Sequence, residues 1–431
     1  MSLLPLGRQF GRMKTIYTVI IVLYSFMAGV GSLFSGKARK WVQGRQGWRR
    51  RLDSFSKEGK KVVWMHCASL GEFEQGRPVI EKIIREQPGW KVVLTFFSPS
   101  GYEVRKDYRG ADVIMYLPSD LAVNARSFLD RIDPDLVLIV KYEFWYNYLS
   151  ALRRRKIPTY LVSGIFRPTQ YFFRWYGWFA RDILSVFTHI FVQDEQSGSL
   201  LKGIGYDSYS VTGDTRFDRV SQIAGAARDL PAIEKFRGGE RLFVAGSSWE
   251  ADEDIIIRYI NEYPMVMKWI IAPHEVDEGH LQRIEKKISA GSVRYSSFDR
   301  TDDSCRVMII DNIGMLSSVY RYASMAAVGG GFGKGIHNIL EPACWGIPVL
   351  FGPNHGKFRE AADLTERGGA VTFDSFETFS ATVNKYLTDS AELTGAGIVC
   401  ASYIAENKGA TDKVYNKLFM KGLTDNILKT R

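Results

Sequence analysis

The feature that most constrains this 431-residue chain is a strand–helix alternation that runs once, breaks, and starts again. From residue 61, short β-rich runs (Val62–Cys67, Lys91–Phe97, Asp112–Leu117, Leu136–Lys141, Thr159–Ser163 and His189–Val192) alternate with amphipathic stretches such as Gln75–Gln87 and Asn147–Lys156. Strands separated by helix-length segments pair in parallel, with the helices covering the sheet faces. A second set follows at Leu242–Ala245, Lys268–Ala272, Val307–Ile310, Met325–Val328, Pro348–Phe351 and Ala370–Phe373. Between the two sets, Ser221–Gly239 mixes Gly, Ala, Pro and charged residues and marks the boundary. The length suffices for two separate cores. The expected organisation is therefore α/β: two Rossmann-like domains, residues 52–225 and 226–431, with parallel sheets facing across a cleft and the second domain ending in helices.

Residues 1–51 stand apart. They contain ten Lys or Arg and no Asp or Glu, and the remainder of the chain holds 47 basic and 47 acidic residues. The net charge of +10 is thus local. A nucleic-acid enzyme spreads basic residues over a binding face, so nucleic acid is not an expected partner. Within this segment an uncharged stretch runs from Thr15 to Gly36. At about 1.5 Å per residue it is long enough for a hydrocarbon core of about 30 Å. Three positive charges precede it and seven follow within fifteen residues. That bias keeps the body cytoplasmic and favours an anionic membrane surface. A partly buried N-terminal helix is the competing reading, because Thr, Ser, Gly and Tyr dilute the apolar run. A second unusual stretch, Tyr171–Phe179, has seven aromatics in nine positions. It reads equally as a membrane-interface or lipid-groove segment and as core packing.

Two motifs carry chemistry. The first is Ala68-Ser69-Leu70-Gly71-Glu72-Phe73-Glu74, directly after the first strand. A strand-to-helix turn at the carboxyl edge of a parallel sheet is where such folds place ligands. A carboxylate there can act as a general base, or can simply start a helix. The second is Gly329-Gly330-Gly331-Phe332-Gly333-Lys334-Gly335-Ile336-His337-Asn338-Ile339-Leu340-Glu341. A Gly-rich loop leading into a helix from about Asn338 offers free amides to a phosphate, and Glu341 can accept from a ribose diol. A purely structural loop has the same spelling. Together with Gly346-Ile347-Pro348-Val349, the arrangement is typical of nucleotide-sugar transferases.

At these residues the chain resembles the bacterial 3-deoxy-D-manno-octulosonic acid (Kdo) transferases of lipopolysaccharide assembly, glycosyltransferase family 30 with GT-B architecture, over nearly its full length. The family's glutamate turn matches Ser69–Phe73, so the resemblance makes Glu72 the general base. Its Glu-Leu-Trp-Pro-Asn segment matches Glu143-Phe144-Trp145-Tyr146-Asn147 and brings Glu143 into the site. Its Gly-Asn-Leu-Lys-Phe-Asp segment matches Gly213–Asp218 and gives Arg216 the role of a cation near the departing phosphate. Nucleotide contacts would fall on Ser247, Ser248, Pro273, His274, Ile313, Gly314, Met315, Gly335, Asn338, Ile339, Leu340 and Glu341. Lys141, the shortened Pro273-His274 and the Gly314-Met315 pair differ from the family pattern.

The resemblance implies an inverting transfer of Kdo from CMP-Kdo to a lipid A precursor at the cytoplasmic face of the inner membrane, with no cofactor. A transferase using a UDP-sugar and a non-catalytic nucleotide-binding membrane scaffold are the alternatives. The six histidines lack metal-ligand spacing, and Asp252-Glu253-Asp254 reads as a helix start and Asp302-Asp303 as a polar loop, so no metal is expected. The four cysteines, without a CxxC pair, are expected to be reduced thiols.

Overall fold

The computed structural model describes residues 6–298 and 305–420. The chain divides into two compact units. The first runs to Arg219 and resumes at Gly409, and the second is Val220–Lys408.

The first unit opens with helices α1 (Leu6–Gly31), α2 (Gly36–Arg45) and α3 (Trp48–Leu52). Its strands are β1 (Lys61–Cys67), β2 (Trp90–Phe96), β3 (Val113–Tyr116), β4 (Leu136–Val140), β5 (Thr159–Gly164), β6 (His189–Val192) and β7 (Tyr209–Val211). They lie in the order β3-β2-β1-β4-β5-β6-β7, each neighbouring pair parallel. The central strands are buried nearly throughout, as a sheet covered on both faces requires. Helix α4 (Leu70–Glu86) covers one face with Phe73, Val79, Ile80 and Ile83. Trp48, Leu52, Phe128, Leu129, Leu149 and Leu152 fill the other.

The second unit repeats the plan with β8 (Leu242–Ser248), β9 (Lys268–Pro273), β10 (Ser292–Arg294), β11 (Val307–Ile309), β12 (Met325–Val328), β13 (Val349–Phe351) and β14 (Ala370–Thr372). The order is β10-β11-β9-β8-β12-β13-β14, again all parallel. All twelve strands read from the sequence are present. The two it missed, β7 and β10, are three-residue edge strands only partly buried at every position, so no apolar run marks them.

Two expectations about organisation change. The helix Ala410–Phe419 was assigned to the second domain but packs on α4 in the first unit. Lys82 pairs with Asp412, the Gln87 amide donates to Tyr415, and Trp90 meets Phe419 edge-on. Asp218 receives the Gly409 and Thr411 amides at 2.7 Å each. The domain boundary accordingly falls at 219/220, inside the helix Thr215–Gly225.

Residues 1–51 are likewise not a module of their own. Arg45, counted from sequence among the basic residues beside a membrane, is buried. It donates to Leu117 O and Phe97 O, each at 2.8 Å, and lies 3.8 Å over the Trp41 ring. Helix α1 is docked on one side: Tyr17 donates to Asp120, Ser25 reaches Ser119, and Tyr24 packs on Trp41 and Phe97. Its other side exposes Ile16, Val19, Ile20, Leu23 and Phe26. Among the described residues, Met13–Gly31 is the stretch long and apolar enough to cross a membrane.

Core packing accounts for part of Tyr171–Phe179. Phe172 is buried, with Phe173 and Phe179 partly so, whereas Trp175 is 90% exposed.

Candidate active site

In the first sheet the chain leaves β1 toward β2 and leaves β4 toward β5, on opposite sides. The carboxyl ends of β1 and β4 therefore form the crevice in which an open α/β sheet binds its ligand. The two turns that emerge there carry Glu72 and Glu143.

Glu72 lies in the first turn of α4, and its carboxylate folds back to accept the Ala68 amide. Burial is the largest influence on it, and the negative charge of Glu143 the next. Against the pull of the Ala68 amide, Lys141 and the Ser69 amide, they push the carboxyl up to about 7. A Cβ at Gly71 would point into open space, so packing does not demand a glycine beside this carboxylate.

Glu143 is held from two directions. Trp145 Nε1 donates to its Oε2 at 2.7 Å, and buried His66 places Nε2 3.1 Å from the same oxygen. Assigning the imidazole proton to Nε2 leaves Nδ1 to accept the Thr95 hydroxyl at 2.9 Å. Trp64 Nε1 in turn donates to Thr95 Oγ1 at 2.8 Å. Lys141, where β4 ends, adopts φ 61°, a left-handed conformation uncommon for a residue with a side chain. Such strained positions gather at functional turns.

Arg216 stands at the start of the Thr215–Gly225 helix and is paired with Asp214, its Nε 2.7 Å from Oδ2. Its charge is therefore balanced locally rather than presented bare. Thr215 hooks this turn to α4 by donating to Gln75 O at 2.6 Å.

The second unit has the matching crevice between β8 and β12. The predicted nucleotide-site residues emerge from the carboxyl ends of β8, β9, β11 and β12, which are adjacent in the sheet. At the end of β8, Ser248 is buried and donates to Glu253 at 2.9 Å, and Ser247 takes φ 50°. The Ser248 hydroxyl is thereby engaged within the protein. Glu253 also receives His280 Nε2 and Arg283. Asp252 accepts the amides of Trp249 and Gly330 at 3.0 and 2.9 Å, tying the two loops together. Both carboxylates thus occupy the helix start read from the sequence, Glu250–Glu262. Asp302 and Asp303 lie outside the described residues.

The Gly-rich segment also differs from expectation. A Cβ at Gly331 would lie 2.5 Å from Gly352 Cα, and one at Gly329 2.3 Å from Ser247 O. Those two glycines are demanded by backbone packing. The following helix is a single turn, Leu340–Ala343, so no extended helix dipole faces the loop. Asn338 orders that turn: its Oδ1 accepts the Leu340 amide at 3.2 Å, and its Nδ2 donates to Glu341 at 3.1 Å. Ile339 and Leu340 are fully buried and offer a ligand only their backbone. Gly335 takes φ 136°. Beyond β11, Ile313 is 90% exposed, Gly314 takes φ 98°, and Met315 precedes the Leu316–Val319 turn.

Sequence reasoning missed an aromatic stack around His274, which follows Pro273 at the end of β9. His274 stacks on His337 at 4.2 Å and on Trp249 at 4.8 Å. Trp249 Nε1 donates to His337 Nε2 at 2.9 Å. Burial first, and then His274, lower His337 to about 4, so it is neutral at pH 7 and free to accept that bond. The available signal was positional, since Trp249 directly follows β8 and His337 lies within the Gly-rich motif.

A family model described as 3-deoxy-D-manno-octulosonic-acid transferase (kdotransferase) matches residues 46–219. A 3-deoxy-D-manno-octulosonic acid transferase of Aquifex aeolicus is 28% identical over 320 residues, covering 73% of this chain and 82% of its own. One of Chlamydophila psittaci is 26% identical over 429 residues, covering 94% and 96%. Among solved structures, a UDP-GlcNAc 2-epimerase of Neisseria meningitidis aligns at TM-score 0.59 and 16% identity over 83% of this chain and 99% of its own. MurG of Acinetobacter baumannii aligns at 0.51 and 13%, over 83% and 98%. These structures share the two-domain GT-B fold.

Proposed function

We propose that this chain, which matches the Kdo transferase model over residues 46–219 and is similar to Kdo transferases over most of its length, is a glycosyltransferase that moves Kdo from CMP-Kdo to a lipid A precursor (lipid IVA) at the cytoplasmic face of the bacterial inner membrane. The observation that carries this reading is Glu72, a carboxylate held near 7 at the crevice of the first sheet. A base works best when its affinity for the proton matches the operating pH. In the proposed step, a hydroxyl of the acceptor gives its proton to Glu72 while its oxygen bonds to the anomeric carbon of Kdo. The bond from that carbon to the CMP phosphate breaks, and CMP leaves with the electron pair. Attack opposite the leaving group inverts the centre, and no metal ion enters the scheme.

The second unit is assigned the donor. Asn338 and Glu341 suit the ribose, and the His274 stack suits the flat base. Arg216 is assigned the charge of the departing phosphate, with Asp214 fixing its orientation.

The first unit is assigned the acceptor. A recess of about 480 Å³ between α1, α2 and the β2–α loop is lined by Met27, Ala28, Trp41, Phe97 and Pro99, with Lys37 among its walls. Its apolar lining suits acyl chains. Phe97 stacks at 5.0 Å on Trp145, the residue that holds Glu143. The exposed apolar side of α1 is assigned to the bilayer.

The test is full-length protein in lipid vesicles with CMP-Kdo and lipid IVA, read by mass spectrometry of the lipid and by CMP release. A product heavier by Kdo, with equimolar CMP, is expected. Turnover only with a UDP-sugar, or CMP binding without release, overturns the assignment.

A further inference from the structure

We infer that Tyr17 of α1 and Asp120 are positioning residues for Glu143, so that the seating of the N-terminal helix sets the geometry of the reaction centre. The inference rests on the role assigned above to the Glu72–Glu143 pair. It starts from an ordinary problem: the first amides of a helix have no partner within the helix.

The Tyr146–Arg154 helix begins directly after the Glu143 turn, and its N-cap residue, Trp145, makes no side-chain cap bond. Residues far away in sequence supply the cap. The Tyr17 hydroxyl oxygen accepts the Tyr146 amide at 3.3 Å. Asp120 Oδ2 accepts the Asn147 amide at 3.0 Å, and Oδ1 accepts the Tyr148 amide at 3.0 Å. Tyr17 donates its own proton to Asp120 Oδ2 at 2.6 Å. Asn147 Nδ2 fastens the Asp120 carbonyl at 2.6 Å. Asp120 is 3% exposed, so no solvent can replace these bonds.

One residue before this cap stands Trp145, whose Nε1 holds Glu143 at 2.7 Å. Removing the Tyr17 hydroxyl leaves the Tyr146 amide without its acceptor while Asp120 still caps Asn147 and Tyr148, so the loosening falls on the residue beside Tyr146, Trp145. Glu143 then loses one of the two donors that keep it against Glu72. The groups facing Glu72 are Cys67 from β1 and Lys141, Tyr142 and Glu143 from the turn after β4. Of these, Glu143 is the one that Trp145 holds.

The test compares Tyr17→Phe with wild type and with Thr18→Val, which removes a neighbouring hydroxyl bonded only to Lys14 O on the same helix. Each is the full-length protein in vesicles. Tyr17→Phe should lower kcat by about tenfold, as misplacement of a reacting group does, with CMP affinity unchanged. The acid limb of its pH–rate profile should also move to lower pH, because Glu72 no longer feels Glu143. Thr18→Val should match wild type in both. A ¹³C-carboxyl titration of Glu72, assigned by its absence in Glu72→Gln, reads the same downward shift without turnover. The inference therefore stands or falls separately from the assigned reaction. Asp120→Asn, which exchanges an acceptor oxygen for a donor, should reproduce the shift. An unshifted Glu72 titration in Tyr17→Phe overturns the inference, whatever happens to kcat. So does a lower kcat with the wild-type pH profile, which is the mark of a helix that only docks.

Discussion

Glu72→Gln separates catalysis from stability in a single substitution. Glutamine keeps the size and can still accept the Ala68 amide, but it takes no proton from an alcohol. Loss of a general base costs about 10²–10⁴-fold, so turnover should fall by that factor while CMP affinity stays constant. The fold should respond in the opposite direction. Glu72 titrates near 7 rather than at its ordinary 4.5. At about 1.4 kcal/mol per pH unit, keeping it ionised inside the protein costs about 3 kcal/mol. Below pH 4.5 the carboxyl is protonated in both the folded and unfolded states, and this cost is absent. Between 4.5 and 7 the folded state binds the extra proton, so stability falls as pH rises and levels off above 7. Glu72→Gln should therefore raise Tm by several degrees at pH 8 and hardly at all at pH 4. Paired turnover and thermal-unfolding measurements at the two pH values check both halves. Retention of more than about a tenth of turnover refutes the base. An inactive variant with no gain in Tm at pH 8 refutes the electrostatic account of why Glu72 is primed.

Three further outcomes follow from the geometry. Glu341→Ala should weaken CMP binding by about 1–3 kcal/mol in calorimetry, the range for one charge-assisted hydrogen bond; unchanged affinity would make Glu341 a structural helix residue. Gly331→Ala should destabilise the second unit by about 1–3 kcal/mol in denaturant unfolding, since its Cβ would lie 2.5 Å from Gly352 Cα. Deleting residues 1–36 should release the protein from washed membranes and also lower its Tm, because Asp120 loses the Tyr17 hydroxyl. A truncated body as stable as the full chain would show that the docked side of α1 contributes nothing.

What the sequence could reveal was whatever repeats locally. Continuous apolar runs such as Val62–Cys67 announced the strands, and the turn after β1 announced Glu72, because strand, turn and carboxylate are neighbours in the chain. Long-range features left no such trace. Tyr17 and Asp120 are 103 positions apart, and Trp249 and His337 are 88 apart. Each has an ordinary local identity: an aromatic in an apolar helix, an acid in a loop, a Trp after a strand. Arg45 was misassigned for the same reason, since a basic cluster looks alike whether its members face lipid or plug carbonyls. The Gly-rich segment was legible as a loop but not as a packing necessity, because the backbone that excludes a Cβ at Gly331 belongs to Gly352.

The return of Ala410–Phe419 to the first unit has a consequence for biosynthesis. The first unit is discontinuous, and Val220–Lys408 is an insertion within it. When α4 leaves the ribosome, the Val414, Tyr415 and Leu418 side chains that share its core cluster do not yet exist. Asp218 waits for the Gly409 and Thr411 amides until the whole Val220–Lys408 insertion has been made. At about 5–20 residues per second, the intervening stretch takes roughly 10–40 s to translate. Through that interval the nascent protein carries an unclosed apolar seam on the same unit whose first helix exposes an apolar side. The second unit can finish folding before the first, which inverts the usual N-to-C order of domain maturation.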